Sequence, residues 1–110
     1  MALREQSYLI LLALADGPLH GYGIIKTVRE LSEERVRLGP GTLYGALDRL
    51  STEGLVSVVK EEVVEGRHRR YYQLTGAGSE VVTEETVRLA RLAASAQRRL
   101  NMRPQPGMGV

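Results

Sequence analysis

Four basic residues in a row and then two tyrosines, Arg67-His68-Arg69-Arg70-Tyr71-Tyr72, form the densest concentration of chemistry in the chain. Guanidinium groups grip phosphate oxygens through forked hydrogen bonds, and tyrosine hydroxyls add to such contacts. On a bare hairpin edge the same charges would only discourage strand-to-strand aggregation. What stands beside them decides between the two. Upstream, residues 39–54 read GPGTLYGALDRLSTEG. Leu43, Ala46, Leu47 and Leu50 recur at i, i+3, i+4 and i+7, one apolar helical stripe, while Thr42, Tyr44, Gly45, Asp48, Arg49 and Thr52 fall off it. Alone, this is a surface helix on a small core. Followed by an arginine row, it becomes a candidate recognition helix, with its N-terminal residues at DNA base edges in the major groove. Thr42 and Tyr44 are then expected near the groove and Arg49 on the outer face. Arg67, His68, Arg69 and Arg70 are expected on phosphates or in the minor groove.

Little else in the chain has chemistry to offer. It has no cysteine, which removes disulfides, thiol nucleophiles and cysteine metal sites, and which fits a reducing compartment. Its two histidines, His20 and His68, are too few for a metal site, and no nucleophile stands with a base. Gly39 and Gly41 are not followed by the lysine that a phosphate loop needs. No enzyme activity, cofactor or metal is expected. With 15 basic and 13 acidic side chains the net charge is only +2, so any nucleic-acid argument rests on local clustering.

The elements that must position these residues can be read in order. At 110 residues the chain makes one modest core. Residues 4–15 predict a first helix, apolar nearly all round and so covered on more than one side. Its run YLILLALA is too short to span a bilayer. Arg4 before it and Ala13-Leu14-Ala15 after it mimic an export leader, but the run is short for a leader core and Glu5 spoils the positive start. A buried helix in a cytoplasmic protein is expected instead. Asp16-Gly17-Pro18 ends it. Residues 20–32 predict a second helix, with Ile24, Ile25, Val28 and Leu31 inward and His20 at its start. A polar link, 33–38, leads to the recognition helix. Valine-rich residues 55–62 and residues 70–74 predict a hairpin about a turn at 64–67, with Gly66 free to take positive φ. Thr75 is placed to cap a last helix, 76–101, where Gly76 and Gly78 imply a packing need. Val82, Leu89 and Ala96 recur every seven residues, and Leu92, Ala93 and Leu100 widen that stripe, which suggests a partner helix. Residues 102–110 are expected to be a frayed tail.

Helix, helix, helix, hairpin, long helix is the order of a winged helix-turn-helix with a dimerising C-terminal helix, mainly α with a small β element. The chain also resembles the PadR family of transcriptional regulators. Pro18-Leu19-His20-Gly21-Tyr22, Gly39-Pro40-Gly41-Thr42-Leu43-Tyr44 through Leu47-Asp48-Arg49-Leu50, Glu53-Gly54-Leu55, and Arg69-Arg70-Tyr71-Tyr72-Gln73-Leu74-Thr75 with Gly78 carry the resemblance. It implies a DNA-binding domain over 1–74 and a one-helix dimerisation region over 75–101. It implies a homodimer on a pseudo-palindromic double-stranded operator, acting as a repressor that a small molecule or stress signal releases. It also implies that the first helix packs on the partner's last one, placing Tyr8, Leu11 and Leu12 with Val82, Leu89, Leu92, Ala96 and Leu100 at the dimer interface. Some relatives hold flat aromatic molecules between subunits; with no tryptophan or phenylalanine, a hydrophobic effector here would meet tyrosine or aliphatic walls. The competing reading is a winged-helix module that docks proteins without specific DNA binding.

Overall fold

The computed structural model describes residues 3–102. In chain order these form α1 (Glu5–Ala13), a 3-10 turn (Leu14–Asp16), β1 (Leu19–His20), α2 (Gly21–Leu31), α3 (Pro40–Thr52), β2 (Val56–Val64), β3 (Arg67–Leu74) and α4 (Gly76–Arg99). The sheet is antiparallel in the order β1-β3-β2. Its third strand departs from expectation. Leu19 and His20 pair with Tyr72 and Tyr71, so His20 belongs to the sheet and only caps α2 from outside. Of the expected tail, only Met102 lies within the described residues. Among those residues no helix is long and apolar enough to cross a membrane.

The core draws on every helix. Ile10, Leu11 and Leu14 meet Ile24 and Val28 of α2 and Leu43, Leu47 and Leu50 of α3, and all eight are buried to within 2% exposure. The all-round apolar character of α1 is met by α2 on one side and the chain's own α4 on the other, where the Tyr8 and Thr86 hydroxyls lie 2.6 Å apart.

Two helix ends fix where α3 points. At its C-terminus Gly54 takes φ +76°, the Leu55 N–H donates to the Leu50 carbonyl at 2.9 Å, and the Gly54 N–H to that of Ser51 at 3.0 Å. This is a Schellman stop, which turns the chain straight into β2. Upstream, Glu33 and Glu34 both adopt left-handed φ (52° and 70°) after α2. Arg29 holds that link by gripping the Glu34 carboxylate at 2.7 Å, and the guanidinium keeps the Glu34 carboxyl below its ordinary range.

The last helix is tied to the same corner. Thr75 accepts the Gly78 N–H at 3.0 Å, the N-cap expected of it, and its hydroxyl donates to the Gly54 carbonyl at 2.6 Å. Of the two glycines in its first turn, Gly78 carries the packing need: a Cβ there would strike the Leu55 carbonyl oxygen, whereas Gly76 has open space.

Candidate nucleic-acid interface

The apolar stripe of α3 turns inward as its spacing predicts. Leu43, Ala46, Leu47 and Leu50 are buried, and Thr42, Gly45, Asp48, Arg49 and Thr52 are exposed. Pro40 occupies the first turn, where its missing N–H costs nothing, and no acidic residue stands there to repel a phosphate. Tyr44 does not stand free. Half exposed, it lies back over Gly21, where a Cβ would collide with its hydroxyl. The close approach of α3 to the start of α2 therefore depends on a glycine.

The hairpin is longer than expected. β2 and β3 stay paired to Val64↔Arg67, and only Glu65 and Gly66 turn, with φ of 51° and 77°. That is a two-residue turn of the primed kind. The arginine row thus sits within a strand, and strand alternation divides it. Arg67 and Arg69 share a face with Tyr71; His68 and Arg70 share the other with Glu61. Arg70 Nε donates to Glu61 at 2.9 Å, and His68 lies 3.8 Å from the same carboxylate. Among the described residues, Arg67 and Arg69 have no carboxylate within 4.0 Å. Glu62 faces Arg69 across the ladder but is already engaged. The Tyr71 hydroxyl donates to it at 2.7 Å and Lys60 pairs with it at 3.1 Å, and these two contacts hold its carboxyl below the ordinary range. The row of four is in effect two cations without a direct ion pair, of which Arg69 also pulls weakly on Glu62, and two that serve the hairpin.

Glu65 is the weak point of this wing. A glutamate pays for a left-handed φ, and its charge sits at a basic tip. Glu65→Asn should raise stability by about 0.5–1 kcal/mol, a gain of several degrees in melting temperature for a domain of this size. Thermal unfolding checks it; a lower melting temperature would contradict the turn geometry.

Wing and helices enclose a cleft of about 230 Å³ lined by His20, Tyr22, Tyr44 and the row from Arg67 to Arg70. The structure therefore brings Tyr44 and the wing together; Thr42 and Arg49 lie outside the cleft lining, on the exposed face of α3. Sequence reasoning placed Tyr22 only in the motif that opens α2 and treated His20 as a helix-start residue. Their rings stack at 6.5 Å, and His20 also tilts against Tyr71 at 5.4 Å.

The residues expected at a dimer interface divide in two. Leu11 and Val82 are already covered within the chain and have no surface left for a partner, and Tyr8, Leu12, Leu89 and Ala96 are half-buried. Leu92 and Leu100 remain exposed at 58% and 69%. Between the two groups Glu85 is buried on α4, and Arg88 clasps it at 2.7 Å and keeps its carboxyl low.

Residues 10–84 match the family model for the transcriptional regulator PadR-like family. The chain belongs to that family. It is 43% identical over 79 residues to a transcriptional regulator of Mycobacterium tuberculosis, covering 72% of this chain and 70% of that protein. It is 45% identical over 93 residues to an uncharacterised transposon protein of Streptomyces fradiae, of whose length it spans 25%. A PadR-like transcription factor of Bacteroides fragilis has the same fold, with TM-score 0.70, 33% identity and coverage of 84% of this chain and 86% of that one. Bacillus subtilis PadR, solved with operator DNA, shares it at TM-score 0.67 and 24% identity over 76% of this chain and 48% of that one. The fold is a winged helix-turn-helix with a long C-terminal helix, and the chain is a PadR-family regulator.

Proposed function

We propose that this PadR-family protein is a homodimeric repressor that binds a pseudo-palindromic operator, with residues 1–74 on DNA and 75–101 holding the dimer, and that a hydrophobic small molecule or stress signal releases it. One observation carries the DNA-binding part: Arg67 and Arg69 stand without a direct ion pair in the cleft that they share with Tyr44 of α3. A phosphate meets two available guanidinium groups there, while Thr42 and Arg49 remain open to the groove. Operator binding by a PadR protein of the same fold supports the reading. For the dimer, support comes from the apolar outer half of α4. Val87, Leu92 and Leu100 are exposed on a helix that buries only Gly78, Val82 and Glu85 against its own chain, and a paired helix would cover more of it. Two α3 helices in such a dimer would stand about 34 Å apart, or a multiple of it, to meet successive major grooves. The repressor role, release by an effector and work in the cytoplasm rest on the family resemblance.

Arg69→Ala tests the wing. It should weaken binding about equally on all duplexes and lower the slope of log affinity against log salt by about one. Binding to a duplex of the protein's own upstream region (the upstream duplex) and to a scrambled duplex, at several salt concentrations, measures both. Affinity and slope identical to wild type would remove the wing from the interface.

A further inference from the structure

We infer that Tyr22 is a further DNA contact, its hydroxyl donating to a backbone phosphate between the bases that meet α3 and the backbone that the wing holds, an assignment that rests on the DNA-binding role proposed for the same cleft. The chain has five tyrosines; three are engaged or buried within it, and Tyr44 is half covered. Tyr8 pairs its hydroxyl with Thr86, Tyr71 donates to Glu62, Tyr72 is buried in the core, and Tyr44 is laid on Gly21. Tyr22 is 72% exposed, and among the described residues its hydroxyl has no hydrogen-bond partner. A ring of this size gains much by packing, so leaving it in water is a cost without a return inside the chain.

Its position supplies the return. Tyr22 lines the cleft with Tyr44 and the arginine row, on the side of α2 opposite the buried Ile24 and Val28. Gly21 and Ile24, both buried, anchor the helical turn that carries it, and the ring stacks on His20, which is itself held in the sheet through Tyr71. The first turn of α2 contains no acidic residue, and the carboxylates nearest in the wing, Glu61 and Glu62, are paired with Arg70 and with Lys60 and Tyr71. An anionic group drawn in by Arg67 and Arg69 therefore meets a neutral donor, with Glu61 and Glu62 already paired and Glu65 out at the hairpin tip. Tyrosine hydroxyls are among the groups that position proteins on phosphates.

Because the donor carries no charge, its contact releases no counterion, and because it meets backbone, it reads no sequence. Tyr22→Phe should therefore weaken binding about tenfold, on a random-sequence duplex as on the upstream duplex, with the salt slope unchanged. Tyr22→Ala should weaken it at least as much. Neither should move the melting temperature by more than a degree or two, since the side chain is exposed. The test is titration of the full-length protein and both variants into the two duplexes at several salt concentrations, with Arg69→Ala alongside. If wild type binds and Arg69→Ala loses slope while Tyr22→Phe binds like wild type, the hydroxyl is no contact and the assignment is overturned with the wing intact. A loss confined to the upstream duplex would overturn it too, in favour of a base contact. Failure of the wild type to bind either duplex would remove the whole interface.

Discussion

Gly78→Ala is expected to lower stability by about 2 kcal/mol, although alanine is the better helix former by about 1 kcal/mol. Gly78 lies in the first turn of α4, and a Cβ built there would strike the carbonyl oxygen of Leu55 and come within 2.9 Å of its carbonyl carbon. Neither atom can swing aside as a side-chain end would. The Leu55 carbonyl accepts the Thr75 N–H at 3.1 Å, its N–H closes the stop of α3, and the Thr75 hydroxyl binds Gly54. Relief would mean breaking one of those bonds or lifting α4 off the domain. Overpacking against main chain costs about 3 kcal/mol or more, which the helical gain offsets only in part. For a domain of this size that is a fall of about 10 °C in melting temperature. Gly76→Ala is the control, since it meets nothing within 4 Å and should leave stability within about 0.5 kcal/mol. Thermal unfolding followed by far-ultraviolet circular dichroism compares the two. Equal melting temperatures for them would refute the close docking of α4.

Leu47→Ala should cost more, about 2–5 kcal/mol, against a total stability of about 5–15 kcal/mol for a domain of this kind. Leu47 has no exposed surface, and it sits mid-helix on the stripe that fastens α3 to α1 and α2. Its removal leaves a cavity behind the exposed face of α3. Asp48→Ala, one residue on but exposed, should stay within about 0.5 kcal/mol. Denaturant unfolding separates the outcomes. A Leu47→Ala loss no larger than that of Asp48→Ala would mean that α3 is not held as described.

The two glycines and the leucine stripe also show what could be read in advance. Helix α3 was legible because its pattern is local: an apolar residue on every turn, a proline at the start, a glycine at the stop. The capping role of Thr75 was legible for the same reason. β1 was not, because two residues carry no periodicity; Leu19 and His20 are a strand only because β3 lies beside them. The hairpin arms were expected to stop at Glu62 and start again at Arg70, yet the two-residue Glu65-Gly66 turn keeps the ladder paired to its tip. That extra length splits the arginine row into two faces, a division that depends on which residues pair and not on their order. Tyr22 was legible only as part of the family motif that opens α2, because a lone exposed tyrosine off the apolar stripe shows no partner in the sequence. On α4 the seven-residue recurrence gave a true stripe but could not say what covers it: Val82 faces this chain's core, and Leu92 and Leu100 face outward.

The central claim is that α3 and the wing form a sequence-specific DNA interface. It is tested most directly by titrating the wild-type protein into a duplex of its own upstream region and into a scrambled duplex, at several salt concentrations. The account predicts affinity that falls steeply with salt on both duplexes, from guanidinium contacts to phosphate, and a clear preference for the upstream sequence. No binding to either duplex, or binding indifferent to salt, would contradict it.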